Sequence, residues 1–337
     1  MVLMSALISG LSMLALQAAT QDAQAPVPDE DIPIEALGPA VGLVYETPWR
    51  AGPALAHARA GLAATVIDGR IYTAGGAGLV DPRDDFEVYD PDYGIWSPLP
   101  SLPEGLERFA MAEAGGRLYV AGGYSADSGP EPVSTVWSYD PDANIWQSET
   151  EMPGAKASFA LLSHGEALYA LGGEDGMAGM FVYAPETLEW TTLEAPQSVS
   201  RRGLAAVILA GEFWLIGGAN QGEASASVDI YDPATQTWRE GPSLPEPRAG
   251  HAAAVVDGVI HVFGGRSADM QRTTSDHLVL EVGATRWSVG QSMPTARTEA
   301  AAATIEGEVW LMGGGAGAGF FAPFTAVDSV DVLNPAY

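Results

Sequence analysis

Cysteine is missing from all 337 residues. Its absence removes disulfide frameworks, thiolate metal sites, cysteine nucleophiles and an N-terminal lipidated cysteine from the chemistry open to the chain. Positive charge is the second shortage: 15 Lys and Arg face 43 Asp and Glu, a formal net charge of −28. Nucleic acid and anionic membrane surfaces both select for clustered positive charge, so neither is expected as a partner. Solubility is the simplest consequence of so many acids. Hydrophobic mass is plentiful, at 47% of residues. That is enough for a large core, and one repeat array accounts for the length better than two unrelated domains.

Residues 1–20 resemble a secretory signal peptide. An uncharged run rich in Leu, Ile, Met and Ala extends from Met1 to Ala19, and small residues follow at Ala18, Ala19 and Thr20. The usual basic residues at the start are absent, which leaves an uncleaved membrane anchor as the alternative. The expectation is a periplasmic or secreted protein that meets a membrane only through this segment, if at all. Residues 21–44 turn to Pro, Ala, Asp and Glu without periodicity, as in an extended linker. Residues 45–337 hold the repeats.

The stretch Asp68-Gly69-Arg70-Ile71-Tyr72-Thr73-Ala74-Gly75-Gly76 returns five more times, with glycine pairs beginning at Gly122, Gly172, Gly217, Gly264 and Gly313. Successive first glycines are 47, 50, 45, 47 and 49 residues apart. A period near 50 denotes an array of small β units, none of which can bury its faces alone. In the first copy, strand a is expected at Ala60–Ile67 and strand b at Arg70–Ala74. Strand c follows at Phe86–Asp90, and strand d begins at Ile95 and Trp96. The turn between c and d carries Tyr-Asp-Pro with Trp seven residues after the Tyr, as in Tyr89 to Trp96, Tyr139 to Trp146 and Tyr231 to Trp238. Asp and Pro at that place start a tight turn, so these Asp residues read as structural. The sixth copy ends at Tyr337 before any such Trp, and Trp49 supplies it if Glu46 to Arg50 forms the missing strand.

The glycine pairs, the spaced Tyr and Trp and the repeat length together resemble the kelch family, over residues 45–337. The resemblance implies an all-β, six-bladed β-propeller of four-stranded antiparallel blades, its ring closed by an N-terminal strand that completes the last blade. The count of six repeats gives the same number independently. Two kelch enzymes offer precedents. Galactose oxidase relies on a cysteine-linked tyrosine, which this chain cannot form. The bacterial periplasmic sialic acid mutarotase, a more distant likeness, pairs a Glu with an Arg a few residues later. Here no Arg follows Glu223 until Arg239, and the fifth loop places Asp269, not a Glu, between Arg266 and Arg272. No catalytic residue is carried over, and neither a cofactor nor a metal is expected.

Two residue sets remain as ligand-binding candidates. The first is a basic position ahead of every strand a: Arg59, Arg108, Lys156, Arg201 with Arg202, Arg248 and Arg297. Five of them precede the first glycine by 16 residues, and Arg108 by 14, a shift expected to keep it on the same strand face. Guanidinium groups around a channel mouth would hold a carboxylate bidentately. The same regularity would equally serve to lock the blades. The second set lies in the b–c loops, which differ in every repeat: Glu174, Asn220, Arg266, Arg272 and Phe321, the last in a loop with Phe320 and Phe324. His251 reads either as a packed polar residue or as a group facing the channel. The expected function is an exported recognition module that binds a protein or cell-envelope glycan through the face carrying the b–c and d–a loops, as a monomer. The alternative is a mutarotase- or epimerase-type enzyme acting on an acidic sugar.

Overall fold

Asp68 and Gly69 both have positive φ, 49° and 73°, and the same pattern recurs at Asp257-Gly258 and Glu306-Gly307. Two left-handed residues in succession match the right-handed twist of the flanking strands, so these a–b pairs close as tight hairpins. The turn between c and d uses side chains. The Asp140 carboxylate accepts from the backbone N–H groups of Asp142 and Ala143, and Asp90 and Asp232 act likewise on Asp92 and Ala234. These aspartates are turn formers.

The computed structural model describes residues 47–79, 81–173, 179–317 and 325–336. The segment 1–46, where the leader and linker were expected, lies outside the described residues. From Thr47 onward there are six four-stranded antiparallel sheets, each ordered a-b-c-d. Blade 1 comprises Ala63–Ile67, Arg70–Ala74, Phe86–Asp90 and Ile95–Pro98. Strand a thus starts three residues later than expected, because Gly61 turns the chain at φ 68° and ends the extended run there. Blade 6 takes Ala301–Ile305, Glu308–Met312 and Val330–Leu333, and its fourth strand is Trp49–Ala51, with Trp49 opposite Leu333. The two ends of the propeller therefore close the ring and leave no gap between blades.

Tryptophans stitch one blade to the next. The indole N–H groups of Trp96, Trp146, Trp190, Trp287 and Trp49 each donate to a backbone carbonyl just past strand d of the preceding blade, at Pro53, Pro100, Thr150, Pro242 and Gln291. Tyrosines pack beside them, Tyr231 against Trp238 at 4.7 Å and Tyr183 against Trp190 at 4.9 Å between ring centres. Burial raises the Tyr139 hydroxyl to about 12.

Candidate functional site

Around the central channel each blade contributes one residue to a closed circle of hydrogen bonds. Gly61 N–H donates to the Glu299 carbonyl, Glu299 to Gly250, Gly250 to Gly203, Gly203 to Ser158, Ser158 to Arg108 and Arg108 back to Gly61, over 2.6 to 2.8 Å. All six residues have positive φ, between 51° and 68°. Glycine takes that conformation without strain; Arg108, Ser158 and Glu299 hold it at a cost, a pattern that clusters at functional sites. The circle is a floor across the channel.

Two residues before each floor position is a buried lock. The N–H of the second glycine in every blade donates to the carbonyl of the next blade's lock residue: Leu106, Lys156, Arg201, Arg248, Arg297 and Arg59 in turn. The side chains of Arg59, Lys156, Arg201, Arg248 and Arg297 then reach the carbonyl of their own blade's first glycine, always 16 residues ahead. The spacing noted in the sequence is this hydrogen bond. Carboxylates join the arginines of the set: Arg59 with Glu87 at 2.7 Å, Arg201 with Asp229 at 2.7 Å, Arg248 with Asp276 at 3.2 Å, and Arg297 with Asp331. Lys156 lies over the Phe181 ring, 4.7 Å from its centre. Burial pulls the pKa values of Arg59, Arg248 and Arg297 below the ordinary arginine range, against the acids beside them. These five residues are buried in the blades and serve as locks, so the channel-facing alternative is corrected for them. A first glycine cannot carry a side chain here: a Cβ on Gly75 would come within 2.4 Å of the Phe109 ring.

Arg108 departs from the set. Its two-residue shift does not keep it on the lock face; it moves the guanidinium onto the floor circle, and Leu106 fills the lock position. Above the floor is a bowl of about 260 Å³ lined from all six blades, with Arg108, Arg202 and Arg266 contributing charge from the candidate sets and Glu299 opposing them. Arg108 donates through Nε and Nη2 to both oxygens of Glu299, at 3.1 to 3.2 Å, and Nη2 of Arg266 lies 3.5 Å from Glu299 Oε1. Arg108 and Glu299 belong to blades 2 and 6, with Gly61 of blade 1 between them. A Cβ there would come 3.1 Å from Arg108 Cγ, so the bare glycine lets the clamp pass overhead. Glu299 raises the Arg108 pKa, and burial raises that of neighbouring Glu107, with Glu299 adding to the rise.

The remaining candidates separate. Arg266 follows the fifth glycine pair, bridged to Ala249, which sets it at the rim. Asn220, in a small hairpin of Ala219–Asn220 with Glu223–Ala224, is exposed and does not line the bowl. Arg272 is exposed on the fifth b–c loop. Glu174 and Phe321 lie outside the described residues. His251 reaches the bowl wall but is buried, its pKa pushed down to about 3 by burial first and then by Arg248. Phe109 and Phe159 occupy the same place in their blades, directly after the floor residue. His251 is thus a neutral packing residue.

Comparison with known proteins agrees with this architecture. A family model for the KLHDC2/KLHL20/DRC7 Kelch-repeats domain matches residues 203–334, and one for the Kelch motif matches residues 58–103 and 107–153.

The chain belongs to the kelch-repeat family.

Similar proteins include Kelch-like protein 35 of Mus musculus, 29% identical over 209 residues, covering 62% of this chain and 27% of that protein. Kelch-like protein terF of Aspergillus terreus is 28% identical over 220 residues, 59% of this chain and 48% of that protein. Kelch-like protein 33 of Homo sapiens is 35% identical over 89 residues, 26% of this chain and 16% of that protein. The chain thus spans less than half the length of each. The solved structure of YjhT shares the fold, with a TM-score of 0.71 at 17% identity over 84% of this chain and 99% of that one.

In this kelch propeller the sequence reading passed over Glu299, Ser158 and Gly61. A signal for them exists. Arg59-Ala60-Gly61, Arg201-Arg202-Gly203 and Arg248-Ala249-Gly250 share one pattern, and Arg297-Thr298-Glu299 breaks it by placing an acid where the others place glycine.

Proposed function

We propose that this kelch propeller is an exported recognition module, a monomer that binds a partner protein or cell-envelope glycan through the face carrying the bowl. The observation that supports this reading is the contrast in charge placement. Five basic residues are consumed as locks, whereas Arg108, Arg202 and Arg266 are gathered with Glu299 over a floored recess. A recess of about 260 Å³ suits one small polar group of a larger ligand, with the differing b–c loops contacting the rest. Export rests on the leader-like run at residues 1–20.

A thermal-shift screen of acidic sugars, neutral sugars and acidic peptides tests the binding face. A ligand near saturation raises the midpoint by mass action. The shift is expected to disappear in Arg266→Ala. A ligand whose shift survives that change and Arg202→Ala would place recognition elsewhere and overturn the reading. Cell fractionation checks export, which retention of the full-length chain in the cytosol would refute.

One observation favours the enzymatic alternative, a mutarotase- or epimerase-type reaction on an acidic sugar. Glu107 and Glu299 both neighbour Arg108, and burial makes Glu107 a better proton holder than an ordinary carboxyl. NMR exchange between the anomers of any sugar hit decides it: enzyme-dependent exchange that Glu107→Gln abolishes supports catalysis, and an unchanged exchange rate leaves binding alone.

A further inference from the structure

We infer that Glu299 is a built-in occupant of a carboxylate seat formed by Arg108 and Arg266, so that a ligand carboxylate enters the bowl only by displacing it. The inference rests on the recognition reading above and names the residue that decides which ligands that site accepts.

The floor does not require a side chain at this position. Gly61, Gly203 and Gly250 make the same backbone bonds with none. Glu299 nevertheless holds a left-handed φ of 56° that glycine would adopt freely. What it gains is the fork of Arg108, which addresses both carboxylate oxygens in the planar two-oxygen geometry a free carboxylate would present. Arg266 approaches the same Oε1 from blade 5, and its Nε is buried with no hydrogen-bond partner among the described residues. The seat is therefore not fully used by its resident.

Although the Arg248–Asp276 lock is as long, at 3.2 Å, the clamp is also looser than the Arg59 and Arg201 locks. Its nitrogen–oxygen separations of 3.1 to 3.5 Å compare with 2.7 Å for Arg59–Glu87 and Arg201–Asp229. Its side chains retain 28% and 18% of their exposure, against 0% and 5% for Arg59 and Glu87. An ion pair that is partly hydrated and long by the standard of charge-assisted bonds is one that a better-placed carboxylate can replace. With Glu299 seated, one of the positive charges above the floor is neutralised, and the bowl selects against singly charged ligands too weakly bound to displace it.

The test titrates the full chain and its Glu299→Gln and Glu299→Gly variants calorimetrically with two probes, glucuronate and an N-acetylated glutamate peptide. The expected result is affinity at least about tenfold higher in both variants than in the parent, as follows from removing a competing charge. The gain should vanish when Arg108→Ala is combined with Glu299→Gly. Glucuronate responding alone would identify the glycan arm, and the peptide alone the protein arm. If Glu299→Gly folds poorly, Glu299→Gln preserves the shape and carries the same readout. Equal affinity in parent and variants would overturn the inference while leaving the recognition reading in place. A fall in thermal midpoint without any gain in affinity would also overturn it, by showing the clamp to be only a staple between blades 2 and 6.

Discussion

Arg59 and Arg108 sit in adjacent blades and each meets a glutamate, yet they work in different solvents. Arg59 is fully buried, with its fork divided between Glu87 and the carbonyls of Gly75 and Asp85. Arg108 lies at the floor of a bowl, holds Glu299 over longer distances and keeps part of its surface wet. Removing two charges from water is costly, and the lock offsets it with a close counter-charge at Glu87 and two backbone carbonyls that take up both terminal nitrogens of Arg59. The clamp avoids that cost and gains correspondingly little. The comparison separates charge used for architecture from charge available to a ligand, although the two arginines are hard to tell apart by residue type.

The sharpest way to break the contrast is Glu87→Ala, which leaves the Arg59 guanidinium buried without its counter-charge. A loss of about 3–5 kcal/mol is expected in urea unfolding. Replacing both members, Arg59→Leu with Glu87→Leu, should recover most of it. Blade 2 already shows the apolar solution, with Leu106 at the lock position and Trp137 at the position of Glu87. If Glu87→Ala costs under about 1 kcal/mol, the lock is no stronger than a surface pair.

Acid should weaken the protein through its buried histidines. Burial pushes His251 down to about 3 and His261 to about 4, from an ordinary 6.5. His277, 2.9 Å from His261, is lowered as well. Each is neutral when folded and takes a proton readily when unfolded. Their stability contribution is therefore complete above about 6.5 and is lost as pH falls toward the folded values, by about 1.4 kcal/mol per pH unit per histidine. Denaturation midpoints from pH 7 to pH 4 check this. His251→Phe, which copies Phe109 and Phe159, should flatten part of the slope, and an unchanged slope would mean that His251 does not contribute.

A smaller effect is expected for Gly61→Ala, which places a Cβ in a left-handed residue beneath the clamp. About 1–2 kcal/mol of stability should go, together with the ordered contact of Arg108 to Glu299, which a crystal structure of the variant would show. The smallest change belongs to Arg108→Ala. Stability should fall by no more than about 1 kcal/mol, and the difference from the parent should shrink in high salt, unlike that of Glu87→Ala. A large salt-independent loss would erase the distinction between lock and clamp.

Much of the fold was legible because its rules are local and repeated. The glycine pair, the Asp-Pro turn and the Trp positions recur once per blade and make the same turn or the same contact with an adjoining blade each time, so the copies reinforce a single reading. Even the missing fourth strand of blade 6 could be located, since Trp49 had no other role; only its bounds moved, to Trp49–Ala51. The site was legible in part. Spacing singled out the basic residues, but the same spacing serves a guanidinium aimed at the channel and one aimed at its own blade. The choice depends on burial, which alignment does not display. Glu299 was overlooked because its partners are Arg108, 191 residues away, and Arg266 on a neighbouring blade, and no sequence pattern links positions that only ring closure brings together.

The circle beneath the bowl has an electrical consequence. Each of its six bonds points in the same rotational sense, from the N–H of one blade to the carbonyl of the preceding one. Peptide dipoles aligned along a helix add up to charged poles at its ends, where ions can gather. Aligned around a loop, their tangential components run head to tail and cancel across the ring. The floor offers an incoming ion no pole to settle on, and the sign of whatever enters is left to a handful of side chains that single substitutions can rewrite.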